Sequence, residues 1–524
     1  MKTNKKLDTN ILLSALVALL TILTLFMNAC TNKDNPNTPG TVGEKAGVLT
    51  EMQPCKFVPD GDKVEVDALC GTLTVPENWK DANSRLIALP VVKIPSRSAT
   101  PAEPIFYLKG GPGFSNLAWN PPAWILENHD VIMIGYRGVD GSVVLDCPGV
   151  DQVAKKTFGN GLFSEGAKSQ FANAVQQCIT QLTASGIDLT GYTVSGVIAD
   201  MEAARIALGY ENINLYSRSY GTRVAQLYAH RHPDRMHRIV MIGLNTPGRF
   251  IYNRDDFDMM FRELSKLCAA DPDCSQRTTD LAQTIYDVNR NVPSRWLFLP
   301  IDLASVRVGA HSMLYSTSSM SLPIDMYLSA SEGDYSGMAF LSLFMRFQAP
   351  TFVWGDVIYK GASLDLEYYK GEDSVNLGST VMGAPMAEYL WPAVSNLPIV
   401  LDDPDMRVLH ESDVDMLIVN GSLDFSTPPT AIEEVKPYWN NAKFVVLKNF
   451  GHVSNVENLQ PEAFQYLVEN YLQSGRVDTS HFKENRISFT PKVGTAVLAK
   501  IMLGVVVFLL LALGLLINKL VFSK

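Results

Sequence analysis

Residues 213–230 constrain the fold of this chain more than any other stretch. They begin as a short apolar strand, turn sharply at residues 217–221 (Ser-Arg-Ser-Tyr-Gly) and continue as an amphipathic helix. A serine at the apex of such a turn, here Ser219, with a small residue two positions before and two after it, is typical of a nucleophile elbow. The small neighbours are required because strand and helix come into close contact there. An ordinary serine N-cap of a helix is the alternative interpretation.

Strand-like apolar runs flank this turn and return near the C-terminus. Examples are Pro104–Leu108, Asp130–Gly135, Arg238–Leu244, Asp415–Asn420 and Lys443–Leu447. Continuous apolar runs separated by helical patterns are typical of a parallel sheet that is covered on both faces. We therefore predict an α/β fold with a mainly parallel central sheet.

The alternating pattern stops between residues 249 and 400, where helix-like segments occur without a series of buried strands. Such an insertion in an α/β protein lies over the carboxyl ends of the strands, where ligands bind. We predict a core formed by residues 55–248 and 401–490 and a largely helical lid formed by residues 249–400.

The composition excludes some classes of partner. The chain has 524 residues, 47% of them hydrophobic, and a formal net charge of −10. An acidic body of this kind argues against nucleic acid as a partner. The histidines and cysteines show no metal-ligand spacing, so we expect neither a metal nor a cofactor.

The N-terminal residues have the pattern of a secretory signal. Residues 1–30 contain a basic start, an uncharged and mainly apolar run at Ile11–Met27, and then Asn28, Ala29 and Cys30. A cysteine after a small residue at the cleavage point is similar to a bacterial lipoprotein signal, in which Cys30 would carry the lipid. An uncleaved signal anchor is the alternative. Residues 31–54 are polar, and we expect them to form a linker.

The C-terminal residues predict a transmembrane helix at 493–518. Ile501–Ile517 carries no charge, and the extended segment can span about 30 Å of hydrocarbon. Lys519 and Lys524 favour a cytoplasmic C-terminus. We expect a protein of the bacterial cell envelope, anchored in the membrane with its catalytic domain on the periplasmic or extracytoplasmic side. A buried core helix is the alternative.

The cysteine content agrees with that compartment. The chain has seven cysteines, and six remain if Cys30 is lipidated. An even number suits disulfides in an oxidising environment. Nearest-neighbour pairing predicts Cys55–Cys70, Cys147–Cys178 and Cys268–Cys274, although six cysteines allow about 15 connectivities.

An elbow serine needs a base and an acid that orients the base. In the order Ser, Asp, His, the best base is His452, in a loop directly after the last predicted strand. The other histidines after Ser219 lie on helices, in the insertion, before a strand or beyond the closing helix. Asp424 follows the predicted strand at residues 416–420. Turn capping is the favoured explanation of such an aspartate taken alone, but residue order, spacing and strand position together make Asp424 the best candidate acid.

Residues 109–113 (Lys-Gly-Gly-Pro-Gly) follow an earlier strand. Glycines in this place let backbone N–H groups face a ligand, as in an oxyanion hole. We assign that hole to the N–H groups of Gly111 and Tyr220. A plain Gly-Pro turn is the alternative.

Five motifs in this order resemble the serine aminopeptidases of the α/β-hydrolase fold, a family that includes prolyl aminopeptidases and secreted bacterial tripeptidyl aminopeptidases. The motifs are Gly-Gly-Pro-Gly, Tyr-Arg-Gly-x-x-Gly-Ser, Ser-Tyr-Gly-Thr-Arg, Gly-Ser-Leu-Asp-Phe-Ser-Thr-Pro-Pro and Phe-Gly-His. The resemblance covers residues 55–245 and 400–475. Lys109 departs from it, because the family usually has histidine there.

The resemblance implies hydrolysis of peptides from a free N-terminus through an acyl-enzyme. Such enzymes bind the ammonium group of the substrate with carboxylates of the lid. Candidates here are Asp365 and Glu367, with Glu332 and Asp334 as further possibilities. Two other functions stay open: an esterase-like hydrolase with the same three catalytic residues, and a catalytically silent module that binds partners through its lid.

Overall fold

The structure is a computed structural model that describes residues 46–250, 253–368, 371–395 and 397–522. The predicted signal at residues 1–30, with Cys30, and residues 31–45 of the predicted linker lie outside the described residues.

Ten strands form one sheet in the described part of the chain. In chain order, the strands are β1 Val48–Leu49, β2 Gln53–Phe57, β3 Val66–Pro76, β4 Leu86–Ile94, β5 Ala102–Leu108, β6 His129–Ile134, β7 Ile213–Arg218, β8 Met236–Ile242, β9 Arg295–Trp296, β10 Leu299–Pro300, β11 Met416–Gly421 and β12 Ala442–Leu447. The sheet order is β1-β3-β4-β6-β5-β7-β8-β11-β12, with β2 paired to β3, while β9 and β10 form a separate hairpin.

Helices cover the sheet and fill the insertion. In chain order, they are α1 Ala123–Leu126, α2 Pro148–Thr157, α3 Glu165–Ala184, α4 Val194–Ala207, α5 Tyr220–Arg231, α6 Arg254–Ala270, α7 Pro272–Ser275, α8 Leu281–Asn291, α9 Leu303–Met313, α10 Ser321–Ser331, α11 Ser336–Met345, α12 Trp354–Asp365, α13 Pro385–Val394, α14 Thr430–Val435, α15 Ser454–Asn458, α16 Pro461–Ser474 and α17 Thr495–Phe522.

The six strands from β6 to β12 in the sheet order are parallel to one another, whereas β1, β2, β3 and β4 add antiparallel pairs at one edge. Their apolar residues are buried on both faces, which explains the unbroken hydrophobic runs in the sequence. The loops after β5, β7, β11 and β12 therefore leave the sheet at the same edge.

The first strands lie partly within the segment predicted as a linker. β1 and the start of β2 fall inside residues 31–54, because both strands pair with β3. A disulfide between Cys55 and Cys70 joins β2 to β3. The other disulfides are Cys147–Cys178 and Cys268–Cys274, so all three pairs are those that nearest-neighbour pairing predicts.

The lid follows β8 and comprises the helices α6 to α13. Its hydrophobic core extends further than the predicted boundary, because α2 and α3 contribute to the same cluster. The Phe158 ring lies 5.3 Å from that of Tyr389, and the Phe171 ring 5.5 Å from that of Trp354. The segment between β6 and β7 thus packs with the lid, although its place in the sequence assigns it to the core.

The C-terminal helix α17 begins at Thr495 and continues to Phe522. By length and composition alone, the segment Thr495–Leu515 of this helix could cross a membrane.

A buried ion pair links the sheet to α4. Arg137, in the turn after β6, donates to both carboxylate oxygens of Asp200, at 2.6 and 2.5 Å. The same guanidinium also donates to the carbonyls of Glu77 and Gly191. Arg137 and Asp200 are both buried, so loss of either partner leaves a buried charge without its counterpart.

We expect the substitution Arg137→Leu to lower the free energy of unfolding by about 3–5 kcal/mol, because it leaves the Asp200 carboxylate buried without its cationic partner. Urea unfolding of the full chain in detergent measures the change. The matched control is Arg97→Leu, because Arg97 pairs with Glu127 at the exposed surface, where such a pair contributes about 1 kcal/mol or less. Equal effects of the two substitutions would contradict the prediction.

Candidate active site

Ser219 occupies a strained turn between β7 and α5. Its backbone has φ 50° and ψ −124°, in a region that residues with a side chain seldom adopt. The Ser219 N–H donates to the carbonyl of Ile242 on β8 at 2.8 Å. Ser217 is buried, and its hydroxyl donates to the carbonyl of Val240 at 3.0 Å. The neighbouring strand β8 therefore holds the turn in place, as an elbow requires.

Two glycines allow the turn to pack closely. A Cβ on Gly221 would lie 2.2 Å from the carbonyl oxygen of Leu108, so only glycine lets α5 approach β5. A Cβ on Gly110 would lie 2.7 Å from the Cβ of Ser219. The loop after β5 thus runs directly beside the serine.

Asp424 and His452 form a hydrogen-bonded pair at the same edge of the sheet. His452 Nδ1 lies 2.8 Å from Asp424 Oδ2 and 3.0 Å from Oδ1. The Asp424 carboxylate also accepts the N–H groups of Ser426 and Thr427 and the Thr427 hydroxyl, each at 2.8 Å. With so many donors, the buried carboxylate is fixed in orientation and can hold the imidazole in one tautomer.

The lid supports the loop that carries His452. The His452 N–H donates to the carbonyl of Tyr315 at 2.7 Å, and the two rings lie 5.7 Å apart. A Cβ on Gly451 would lie 2.5 Å from the same carbonyl. The side chain of Asn455 accepts the N–H groups of Gly451 and Thr317, which adds a second link between this loop and the lid.

The loop at residues 110–113 also contacts the lid. The Gly113 N–H donates to Asp356 Oδ2 at 2.8 Å, and the Val353 N–H donates to the carbonyl of Gly113 at 3.2 Å. Asp356 is buried beside Lys360, at 2.5 Å. Burial raises the pKa of Asp356, although Lys360 opposes the shift. Gly111 has φ +74°, so the loop turns where only glycine is unstrained.

A cavity of about 630 Å³ brings the loop, the serine and the histidine together. Core and lid both contribute to its wall, which is mainly apolar and aromatic. Residues that line it include Gly110, Gly111, Phe114, Ser219, Tyr315, Met345, Phe352, Trp354, His452 and Val453. A site of this size and polarity suits a small molecule or a short segment of peptide.

The charged side chains in the cavity wall are basic. Lys109, Arg218 and His452 line it, and none of the described lining residues is an aspartate or glutamate. Arg218 Nε donates to Glu457 at 2.7 Å, and the guanidinium lies 5.4 Å from the centre of the Trp119 ring. Burial lowers the pKa of Arg218, but Glu457, Tyr107 and Tyr216 together outweigh that effect, so the net shift is upward. Arg218 therefore stays charged beside the serine.

The lid carboxylates predicted to bind a substrate amine lie outside this wall. Asp365 is buried and accepts two hydrogen bonds from Arg223, at 2.9 and 3.0 Å. Glu367 is exposed and pairs with Arg407. Glu332 and Asp334 also pair with basic residues, Arg277 and Lys500. In this structure Asp365 joins the elbow helix α5 to the lid, and it does not face the cavity.

Three residues that contact the site were missed in the sequence. Thr427 lies three positions after Asp424 and bonds to it, and this spacing was the one available signal. Tyr315 and Asp356 belong to the lid, and nothing in the sequence predicts which lid residues reach the core. Among the described residues, no cluster of His, Cys, Asp and Glu could hold a metal ion.

Comparison with protein families gives two matches. Residues 103–287 match the model of the alpha/beta hydrolase fold, and residues 380–483 match that of the TAP-like proteins. The first matched region contains Ser219, and the second contains Asp424 and His452.

Several curated proteins are similar to this chain at low identity. The putative hydrolase YuaR of Escherichia coli is 29% identical over 37% of this chain and 40% of its own length. The serine protease Hip1 of Mycobacterium tuberculosis is 25% identical over 39% and 41%. The chain thus aligns with about two fifths of these relatives. The tripeptidyl aminopeptidase of Streptomyces lividans is 23% identical over 78% of this chain and 82% of its own length.

Solved structures with a similar arrangement include MGS-M2, an alpha/beta hydrolase from a deep-sea metagenome library, which covers 75% of this chain and 97% of its own length at 13% identity and a TM-score of 0.35. An esterase from Exiguobacterium antarcticum covers 76% and 98% at 12% identity and a TM-score of 0.34.

We expect Gly110→Ala to slow the reaction of Ser219 with a fluorophosphonate by about 100-fold, because a displacement of the nucleophile by about 1 Å has an effect of that order. Timed labelling of the purified full chain measures the rate. Gly149→Ala is the control, since a Cβ there meets nothing within 4 Å. Labelling of the Gly110→Ala protein at the wild-type rate would contradict the close approach of the two segments.

Proposed function

We propose that this chain, which matches the models of the alpha/beta hydrolase fold and of the TAP-like proteins, is a serine peptidase that acts through an acyl-enzyme. One observation carries the proposal. A serine in strained elbow backbone and a histidine bonded to a buried aspartate line the same cavity. Each of the three residues follows a different strand of the sheet.

The geometry supports a specific role for each residue. Ser219 Oγ attacks the carbonyl carbon of the scissile bond, and His452 Nε2 takes the proton from the hydroxyl. Asp424 accepts the Nδ1 proton of His452 and stabilises the imidazolium that forms. His452 then protonates the leaving amine, and water releases the acyl group from Ser219 by the same route.

The oxyanion of the tetrahedral intermediate needs donors of its own. We assign them to the backbone N–H groups of Gly111 and Tyr220. Tyr220 is the first residue of α5, so its N–H lies at the positive end of the helix dipole. Gly111 lies in the loop that passes beside Ser219. Donors fixed before the reaction typically contribute about 2.7–4 kcal/mol each to the stability of the transition state.

The finer proposal is that the enzyme releases residues from a free N-terminus. It is supported by the name of the Streptomyces relative, a tripeptidyl aminopeptidase, which aligns over most of both chains. The described lining residues offer no carboxylate to an ammonium group, and Arg218, the cation beside Ser219, already pairs with Glu457. We infer that the substrate amine binds in its neutral form.

We also propose that α17 anchors the protein in a membrane and that the rest of the described chain lies outside the cytoplasm. The support is the length and apolar composition of the helix together with three disulfides, which persist in oxidising compartments. A lipid on Cys30 would add a second anchor at the other end.

We expect a fluorophosphonate to label the full chain in detergent and to leave Ser219→Ala unlabelled. Asp424→Asn should label about 10⁴-fold more slowly, because the imidazole loses its orienting acceptor.

Rates of hydrolysis of Ala-, Pro- and tripeptidyl-arylamides, with free and acetylated N-termini, then identify the substrate. Turnover of p-nitrophenyl esters without any arylamide would favour an esterase, and absence of label would favour a silent binding module.

We expect KM for a free-amine arylamide to fall as the pH rises through about 8, the ordinary pKa of an α-amino group. The cause is that the described cavity wall has no carboxylate to compensate the protonated amine for the water it loses on binding. A p-nitrophenyl ester, which carries no amine, serves as the control for changes in the enzyme itself. A KM that increases over the same range would show that the enzyme binds the ammonium form.

A further inference from the structure

The first turns of the C-terminal helix pack against the lid, not against the sheet. α17 contacts α10 and α11, and Ala499 is only 3% exposed. Asp325 on α10 accepts the N–H of Thr495 at 2.6 Å and the Thr495 hydroxyl at 2.8 Å. Lys500 Nζ donates to Asp334 Oδ2 at 2.6 Å. The start of the helix is therefore fixed to the lid through both apolar and polar contacts.

The exposed apolar run of the helix begins directly after the residues that pack on the lid. Side chains on one face are buried or half-buried as far as Leu503, and almost all the following ones are exposed as far as Leu515. Residues 504–522 extend about 28 Å at ~1.5 Å per residue. The hydrocarbon core of a bilayer is about 30 Å thick. If the helix spans it, the lid surface beside Leu503 must lie at the bilayer surface.

Large apolar side chains protrude from the same part of the lid. Phe298, at the tip of the β9–β10 hairpin, is 69% exposed, and Phe347, just after α11, is 77% exposed. Among the described residues 46–494, these two are the most exposed of the large apolar side chains. The hairpin packs on α11, the helix that α17 also contacts.

The residues next to these side chains have the character of an interface with lipid headgroups. Leu297, beside Phe298, is 62% exposed, and Arg295 in the same hairpin is exposed. Arg346 is exposed beside Phe347. Aromatic rings together with arginines are typical of protein surfaces that lie in the headgroup region, where the basic groups meet lipid phosphates.

We propose that the lid lies on the bilayer surface, with Phe298 and Phe347 inserted among the lipid headgroups. The proposal rests on the membrane-spanning role proposed above for α17. The consequence for the active site is direct, because Gln348, Pro350 and Phe352 line the cavity. The segment that touches lipid at Phe347 thus forms part of the cavity wall a few residues later.

Site-directed spin labelling tests the position of the lid. Phe298→Cys and Phe347→Cys are made in a Cys30→Ser background, where the six remaining native cysteines are paired in disulfides. The full chain is placed in nanodiscs that contain anionic lipid. Collision of the nitroxide with oxygen, which concentrates in the bilayer, is compared with collision with a water-soluble nickel chelate. Ile206→Cys, at a 63% exposed apolar position on α4 of the core, is the matched control.

We expect the ratio of oxygen to nickel accessibility at both lid positions to be several-fold higher than at Ile206→Cys. Equal ratios at all three positions, in protein that stays in the nanodisc, would overturn the contact of the lid with lipid. Extraction of the full chain from membranes by alkaline carbonate would instead overturn the spanning role of α17, and the lid contact with it. Fluorophosphonate labelling of every variant, at the wild-type rate, verifies that the fold is intact.

Discussion

The strained backbone of Ser219 is the constraint on which the rest of the site depends. A positive φ at a residue with a side chain costs about 1–3 kcal/mol, and it persists only where the surroundings impose it. Here β8 accepts the Ser219 N–H, and glycines at positions 110 and 221 allow the loop and the helix to close around the turn. The turn places the Ser219 hydroxyl at the edge of the sheet. The loops after β11 and β12 place Asp424 and His452 at the same edge.

The lid is a structural part of this site and not only a cover. It fixes the histidine loop through the carbonyl of Tyr315, and it fixes the loop beside the serine through Asp356. These contacts hold the loop of His452 and the loop at residues 110–113, which we propose to supply the base and an oxyanion donor, in place relative to the lid. Buried ion pairs such as Asp365–Arg223 add little net stability, but a shift of the lid that separates the two groups would leave both charges buried and unpaired.

Local patterns made much of this arrangement predictable. The elbow, the order Ser219, Asp424, His452 and the parallel sheet follow from short motifs and apolar runs, which depend on neighbours in sequence. The roles of Asp365 and Asp356 do not follow from such patterns, since their partners Arg223 and Gly113 are more than a hundred residues away in the sequence. The sequence around an acidic lid residue looks the same whether that residue binds a ligand or pairs with an arginine. The same limit explains why α2 and α3 were assigned to the core.

The lid also connects the site to α17, the helix that we propose as a membrane anchor. A catalytic domain on a flexible linker would sample many distances from the bilayer, whereas α17 leaves the lid directly and its first turn is bonded to Asp325. In the proposed arrangement, the distance between cavity and bilayer is set by the thickness of the lid itself. Because the lid also contacts the loops at residues 110–113 and 451–455, the proposal places Ser219 at a fixed distance from the lipid surface.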